Sequence, residues 1–376
     1  MKPYYEREGC RLYMGDTLDV LREIPDDSIQ CVVTSPPYWG LRDYGIDGQL
    51  GLEATPAEYV SNMVAVFSEI RRVLKPDGTL WLNLGDTYAT GAGKIGECPG
   101  GGNQGDWWVG KESNRPRGPK TQPNRMPIVG LKPKDLCGIP WRVALALQSD
   151  GWYLRSDIIW SKPNPMPESV TDRPTKAHEY IFLMTKSEKY YYDAQSIKEP
   201  CSGTAHARGN GVNPKARWKS PDGWDTSIGD GGHGQFHKQG REKGKLPGKN
   251  SRIYQNRDVK NSQARRNRQN ESFSAAVAGL VSHRNKRTVW TVATHPYPEA
   301  HFATYPPDLI KPCILAGSRS SDVVLDPFNG SGTTGEVAIG YGRHYIGIDI
   351  NADYLDLSIR RIDVALAQGR LPLEAA

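Results

Sequence analysis

Four consecutive residues, Ser35-Pro36-Pro37-Tyr38, stand at the end of an apolar run, Cys31-Val32-Val33. Neither proline has an N–H to give to a sheet ladder, so a strand that reaches them must stop. One reading of the tetrad is a stiff turn. The other is a site: the Ser35 hydroxyl, a carbonyl whose direction the proline pair fixes, and the Tyr38 ring, gathered where open α/β sheets receive ligands.

A second constellation lies near the other end of the chain. The apolar run Val323-Val324-Leu325 ends at Asp326-Pro327, and a loop of small residues follows, Phe328-Asn329-Gly330-Ser331-Gly332-Thr333-Thr334. A further apolar run, YIGIDI, ends at Asp349. Glycines let a ligand approach the backbone, and an acidic residue about 20 positions on can take both hydroxyls of a ribose. The loop is not the dinucleotide fingerprint. Asp326 at its entrance repels a pyrophosphate and suits a cationic amine, which favours S-adenosylmethionine over NAD. A plain strand-to-helix turn is the structural alternative.

The elements that must hold these residues are legible. In GDTLDVLREIPDDSIQCVVTS a short amphipathic helix, an acidic turn and a buried strand lead to Ser35. Thr55 caps the next helix with Pro56 at its first position, and Tyr59, Met63, Val66, Phe67, Ile70 and Leu74 recur at helical spacing. KPDG ends that helix and TLWLNL is a buried strand. Residues 90–130, rich in Gly, Pro, Asn and Trp, read as a long irregular loop. IPWRVALALQSDGW reads as a helix and YLRSDIIWSK as a strand. HEYIFLMTKSEKYYYD reads as a hairpin of two strands turning at Lys186-Ser187-Glu188. YPPDLIKPCILAGS is a helix opened by Pro306-Pro307, and the Asp326 unit closes the chain as strand, loop, helix, strand, helix.

Taken together, the tetrad and the Asp-Pro-Phe-Asn-Gly-Ser-Gly-Thr-Thr loop resemble the DNA amino-methyltransferases, which methylate the exocyclic nitrogen of cytosine (N4) or adenine (N6). The order of catalytic motif, basic segment and cofactor motif is similar to the beta subgroup of that family. The resemblance covers about residues 1–90, 135–195 and 300–365. It implies a seven-stranded, mostly parallel α/β sheet with an antiparallel last hairpin, in permuted chain order, and S-adenosylmethionine as cofactor. It assigns catalysis to Ser35, Pro36, Pro37 and Tyr38. Ser35 and the Pro36 carbonyl would hold the amine, and Tyr38 would stack on a base turned out of the duplex. Neither a cysteine nucleophile nor a metal is required.

The same resemblance places Asp326, Pro327, Phe328, Gly330, Ser331, Gly332, Thr333 and Asp349 around the cofactor. In the segment HFATYPP, Thr304 and Pro306 would meet its methionine moiety. Asp16 would approach its adenine, or would simply cap a helix. Trp39 lines the base pocket or packs in the core. In WSKPNPMPES, Lys162 and Asn164 touch DNA or merely leave a strand. The pair His178-Glu179 reads as structural and not as a metal site. Ser at the first catalytic position leans toward cytosine N4, because many adenine enzymes of the subgroup carry Asp there.

Charge supplies an independent indication of the partner. The chain has 376 residues and a net charge of +6. Residues 201–290 hold 18 Lys+Arg against 6 Asp+Glu, which is +12, so the remainder carries −6. A basic segment on a mildly acidic body is the footprint of a nucleic-acid binder. Arg241, Lys243, Lys245, Arg252, Arg265, Arg266, Arg268, Arg284, Lys286 and Arg287 are its candidate DNA contacts, mostly to phosphates. Arg115, Arg117, Lys120 and Arg125 would extend that footprint.

The expected organisation is a catalytic half (1–197, with the Gly-rich loop 90–130), a loop-rich basic target-recognition insertion (198–290) and a cofactor-binding half (291–376). Six scattered cysteines with no C-x-x-C pair fit a reducing compartment. No apolar run approaches the ~18 residues of a membrane span. Together these lead to a cytoplasmic protein of a bacterial, archaeal or phage-infected cell, acting on double-stranded DNA, with a restriction endonuclease as a conceivable functional counterpart. An RNA or protein methyltransferase and a non-catalytic DNA-binding protein are the rival classes.

Overall fold

The computed structural model describes residues 1–41, 48–89, 130–200, 283–294 and 305–368. The first strands, β1 (Tyr5–Arg7) and β2 (Cys10–Met14), form a hairpin, and helix α1 (Thr17–Glu23) follows. Strand β3 (Ile29–Thr34) is buried at every residue, which suits its apolar centre Cys31-Val32-Val33, and its two polar residues are hydrogen-bonded, Gln30 to Asp77 and Thr34 to Asp326. Helix α2 (Pro56–Val73) begins as its sequence dictates: the Thr55 hydroxyl accepts the Glu58 N–H, and Pro56 stands in the first turn. Strand β4 (Leu74–Leu84), helix α3 (Ile139–Ser149), strands β5 (Tyr153–Ser161) and β6 (His178–Thr185) come next. Short strands β7 (Glu199–Pro200), β8 (His283–Arg284) and β9 (Val289–Thr291) precede α4 (Pro307–Gly317), β10 (Val323–Asp326), α5 (Thr333–Gly340), β11 (His344–Asp349) and α6 (Ala352–Gln368).

Nine strands form one sheet in the order β1-β2-β11-β10-β3-β4-β6-β5-β9. From β2 to β4 every pairing is parallel, while β6 runs antiparallel to both β4 and β5. The expected seven strands run from β2 to β5 across this sheet, and β1 and β9 extend its two edges. The period-2 alternation assigns side chains to two cores. Val32, Leu80, Leu82 and Leu84 face α1, α2 and α3. Cys31, Val33 and Trp81 face α4, α5 and α6.

Two elements differ from the sequence expectation. The KPDG segment does not stop α2: the helix ends at Val73, and Lys75–Gly78 belong to the bulged entry of β4. The tyrosines after Lys186-Ser187-Glu188 form no second hairpin strand. Strand β6 is already paired on both edges, by β4 and β5, so it offers no free edge to them. Tyr192 instead stacks near Trp81, and Arg319 lies over the Tyr191 ring.

By chain contacts the protein divides into one unit comprising Met1–Lys198 and Asn285–Ala376 and another comprising Glu199–Arg284. In the second, β7 pairs antiparallel with β8. Among the described residues no helix is long and apolar enough to cross a membrane.

Candidate active site

Strands β3 and β10 are neighbours, with Val324 opposite Cys31 and Leu325 opposite Val32. Their parallel pairing brings the carboxyl ends of both strands, and with them both motifs, to the same end of the sheet. The link is then made by side chains. Thr34, the residue before Ser35, donates its hydroxyl to Asp326 Oδ1 at 2.6 Å, across 292 residues of sequence. The Phe328 N–H donates to the same oxygen at 3.1 Å. Thr334 and Tyr305 donate to Oδ2 at 2.7 and 2.9 Å. Thr334 also reaches the Val33 carbonyl at 3.4 Å.

Asp326 is tied into the protein by its side chain. That side chain is turned inward, the residue is only 1% exposed, and it is surrounded by four protein donors. Burial raises its pKa, and the four hydrogen bonds oppose that rise. Tyr305 is driven well above the usual tyrosine range by burial and by the Asp326 charge, so it remains a donor.

The glycine-rich loop is pinned from several sides. Asn329 N donates to the Ile348 carbonyl at 2.8 Å, and Asn329 Oδ1 accepts from Tyr345 Oη at 2.7 Å and from Ser358 at 3.3 Å. Gly332 has φ +80°, and a Cβ there would lie 2.1 Å from Ser358 Oγ, so only glycine fits. Arg361 of α6 donates to the Ser331 hydroxyl at 3.0 Å, to Thr333 Oγ1 at 2.9 Å and to Glu336 at 2.9 Å. The Thr17 hydroxyl donates to the Pro327 carbonyl at 2.8 Å.

Asp349 ends β11 beside this loop. Its carboxylate accepts the Gly330 N–H at 2.7 Å and the Asn351 N–H at 2.9 Å. Burial pushes its pKa up to about 6. The Ile350 N–H is a further donor to it, and a carboxylate with three such donors keeps one of its roughly four acceptor positions. A Cβ at Gly330 would meet nothing nearer than the Phe328 carbonyl, 4.0 Å away. An acceptor beside an uncrowded glycine fits the hydroxyls of an adenosyl ribose. Asp16 caps α1, accepting from Leu18 N at 2.8 Å and Asp19 N at 3.3 Å, which is the structural one of its two readings. Gly15 N donates to the Asp349 carbonyl at 3.0 Å, so the ends of β2 and β11 lie together. Pro306 is the N-cap residue of α4, and Thr304 lies outside the described residues.

In the tetrad, Pro37 gives its carbonyl to the Tyr59 hydroxyl at 2.9 Å. Among the described residues no donor is paired with the Pro36 carbonyl. The Ser35 hydroxyl donates to Tyr38 Oη at 3.3 Å. Tyr38 in turn donates to Glu179 Oε2 at 2.8 Å and to Asn83 Oδ1 at 3.1 Å. Its ring covers Gly85 so closely that a Cβ there would lie 2.4 Å from Cε2. Burial and Glu179 hold Tyr38 well above the ordinary tyrosine pKa. Lys162 pairs with Glu179 and lies over the Trp160 ring at 4.1 Å. Trp39 is 1% exposed and donates to the Glu53 carbonyl, so it belongs to the core.

Sequence reasoning missed Thr34, Asn83, Glu179, Tyr305 and Arg361. Asn83 had a signal, a lone amide in the otherwise apolar strand end TLWLNL. Glu179 was read as part of a strand, which it is, without its partners. Asn164 exchanges two hydrogen bonds with the backbone of Thr294, at 3.2 and 3.0 Å. Among the described residues no group of His, Cys, Asp and Glu is placed to hold a metal.

Of the basic candidates, Arg284 pairs with Glu199 at 2.7 Å and Lys286 lies over the Trp290 ring at 5.0 Å. The Arg287 carbonyl accepts from Trp290 Nε1 at 2.6 Å. Arg241, Lys243, Lys245, Arg252, Arg265, Arg266 and Arg268 lie outside the described residues, as do Arg115, Arg117, Lys120 and Arg125.

Comparison with known proteins adds to this geometry. The N6/N4 DNA methylase family model matches residues 29–360. The type II methyltransferase M.Cfr9I of Citrobacter freundii is 42% identical, over 95% of this chain and 89% of its own length. M.XycI of Xanthomonas campestris pv. cyanopsidis, also a type II methyltransferase, is 43% identical over 94% of this chain and 88% of its own. Among solved structures, the cytosine-N4-specific PvuII DNA methyltransferase shares the fold, with a TM-score of 0.54 at 17% identity, covering 96% of this chain and 88% of that one.

Proposed function

The chain belongs to the N6/N4 family of DNA methylases, and on that premise we propose that its methyl acceptor is the N4 amine of a cytosine turned out of double-stranded DNA. It is a type II DNA methyltransferase that depends on S-adenosylmethionine. The observation that supports a methyl-transfer site is the Thr34–Asp326 bond, which holds the Ser35 tetrad against the cofactor loop; the choice of cytosine rests on Ser35 itself.

In this reading Asp349 accepts from the ribose, and the backbone from Phe328 to Thr333 lines the cofactor. S-adenosylmethionine supplies, when bound, a methyl group activated by a sulfonium charge. The residues of the chain prepare the acceptor. An exocyclic amine is a poor nucleophile because its lone pair is conjugated into the ring. Ser35 Oγ and the Pro36 carbonyl take its two N–H groups and favour a more tetrahedral nitrogen. The prolines hold that carbonyl in one direction with little left to freeze. Tyr38 offers its ring to the turned-out base. The basic segment, residues 198–290, supplies target recognition. Ser35 rather than Asp at the first position supports cytosine.

The test is to incubate DNA with labelled S-adenosylmethionine, digest it to nucleosides and identify the product by mass. N4-methylcytosine is expected; N6-methyladenine overturns the choice of base. Ser35→Ala should abolish transfer and retain cofactor binding. A fully active Ser35→Ala protein would remove Ser35 from the mechanism.

A further inference from the structure

The side chains running inward from Ser35 form a hydrogen-bonded row whose direction can be worked out from its far end. Glu179 pairs with the Lys162 ammonium, and both side chains are less than a fifth exposed, at 16% and 18%. A second cation, Lys176, also lies within the field of Glu179. An ionised carboxylate has no proton to give, so the bond of 2.8 Å between Tyr38 Oη and Glu179 Oε2 must be donated by tyrosine.

Asn83 reinforces that direction. Its Nδ2 donates to the Tyr180 carbonyl at 3.0 Å and to Glu179 at 3.4 Å. That leaves Oδ1, an acceptor, facing Tyr38 at 3.1 Å. Two acceptors thus share the single proton of Tyr38, and the phenol oxygen can meet Ser35 only by accepting. The Ser35 proton is committed to that contact, at 3.3 Å. What Ser35 has left for a ligand is lone pairs. The Pro36 carbonyl, beside it in the chain, is likewise an acceptor.

We infer that Glu179 sets the donor–acceptor polarity of the site and thereby selects an amino base over its keto counterpart. An exocyclic NH2 donates to both acceptors, whereas a keto oxygen in the same place finds an acceptor in the Pro36 carbonyl and gains a hydrogen bond only by drawing the Ser35 proton away from Tyr38. Sites built to hydrogen-bond one polarity discriminate strongly for that reason. The raised pKa of Tyr38 accords with this, since it keeps the phenol a donor. The inference rests on the reading of Ser35 as the group that meets the acceptor base. Glu179 acts through Tyr38 and is a positioning residue.

The test uses the full chain with S-adenosylhomocysteine and duplexes containing the methylated site found by labelling. One duplex has the target base. The other has its keto counterpart: uracil for cytosine, or hypoxanthine if the product is N6-methyladenine. Fluorescence anisotropy gives the affinity ratio. Glu179→Gln keeps the size and introduces an amide donor, and Tyr38→Phe keeps the ring and removes the link. Both variants should lower the amino-to-keto ratio at least tenfold while S-adenosylhomocysteine affinity stays within twofold. If both keep the wild-type ratio, or lose affinity for the two duplexes equally, Glu179 does not set the polarity. Ser35→Ala separates the two levels of the argument. An unchanged ratio with full transfer in that variant removes the Ser35 reading and this inference with it. A ratio lost in Ser35→Ala but kept in Glu179→Gln overturns the inference alone.

Discussion

Thr34→Val tests the coupling between the two motifs. The substitution keeps the branched shape and removes the hydroxyl that lies 2.6 Å from Asp326 Oδ1. That oxygen then keeps only the Phe328 N–H at 3.1 Å, while Oδ2 retains Tyr305 and Thr334. A hydrogen bond to a charged group contributes about 1.5–3 kcal/mol, so the folded state should lose about that much. Strands β3 and β10 remain paired through their backbones, so the fold should survive the loss. Thr34→Ser keeps the donor and serves as the control.

The deficit should depend on pH in a definite sense. Burial already raises the Asp326 pKa above its unfolded value. Stability from such a group is present at low pH and falls as pH rises through the folded pKa. Losing a donor makes ionisation harder still, so the Thr34→Val deficit should be largest at neutral pH and shrink in acid. Urea unfolding followed by tryptophan fluorescence reads the stability, and single-turnover labelling of DNA reads the function. A cycle with Thr334→Val should show a coupling of at least about 0.5 kcal/mol, because both threonines donate to one carboxylate. If Thr34→Val matches Thr34→Ser in unfolding midpoint and in rate, the idea that Asp326 joins the motifs is refuted.

Three further outcomes follow from the site. With its pKa pushed up to about 6 in the ligand-free protein, Asp349 accepts ribose hydroxyls best once ionised; S-adenosylmethionine affinity, by calorimetry, should be flat well above that pH and weaken about tenfold per unit below it, and Asp349→Asn should lose the dependence. Gly85→Ala places a methyl group 2.4 Å from the Tyr38 ring and should abolish transfer while leaving S-adenosylhomocysteine binding within twofold; a normal rate would show that Tyr38 can move without consequence. Arg361→Ala removes the donor to Ser331 and Thr333 and should raise the KM for S-adenosylmethionine more than it lowers kcat, with Arg361→Lys intermediate; a change in kcat alone would contradict a brace on the cofactor loop.

How much of this could be seen in the sequence depended on how local the cause was. The α2 start needed only Thr55 and Pro56, and the centre of β3 needed only Cys31-Val32-Val33, because capping and burial act within a few positions. The tetrad and the glycine loop were visible because proline and glycine leave a backbone signature. The tyrosines after β6 misled for a non-local reason: their strand propensity is real, but β4 and β5 had taken both edges of β6. Glu179 and Lys162 are 17 residues apart, and only the β5–β6 pairing makes them partners.

Asp326 shows where residue type alone stops being informative. A carboxylate at the mouth of a cofactor loop has two plausible uses, to meet the ligand or to hold the loop, and both leave the same letters in the chain. What reveals the second is the company on neighbouring elements. Thr34 of β3, Thr334 of α5 and Tyr305 ahead of α4 all point donors at it, and each lies on a different element. A residue that is 1% exposed and held from three parts of the chain joins those parts, whatever else it meets. The threonine before Ser35 and the second threonine of Gly-Thr-Thr then have a shared reason to be there. They are the two halves of one clamp, and the permuted chain order, which sends them to opposite ends of the sequence, is undone by the adjacency of β3 and β10.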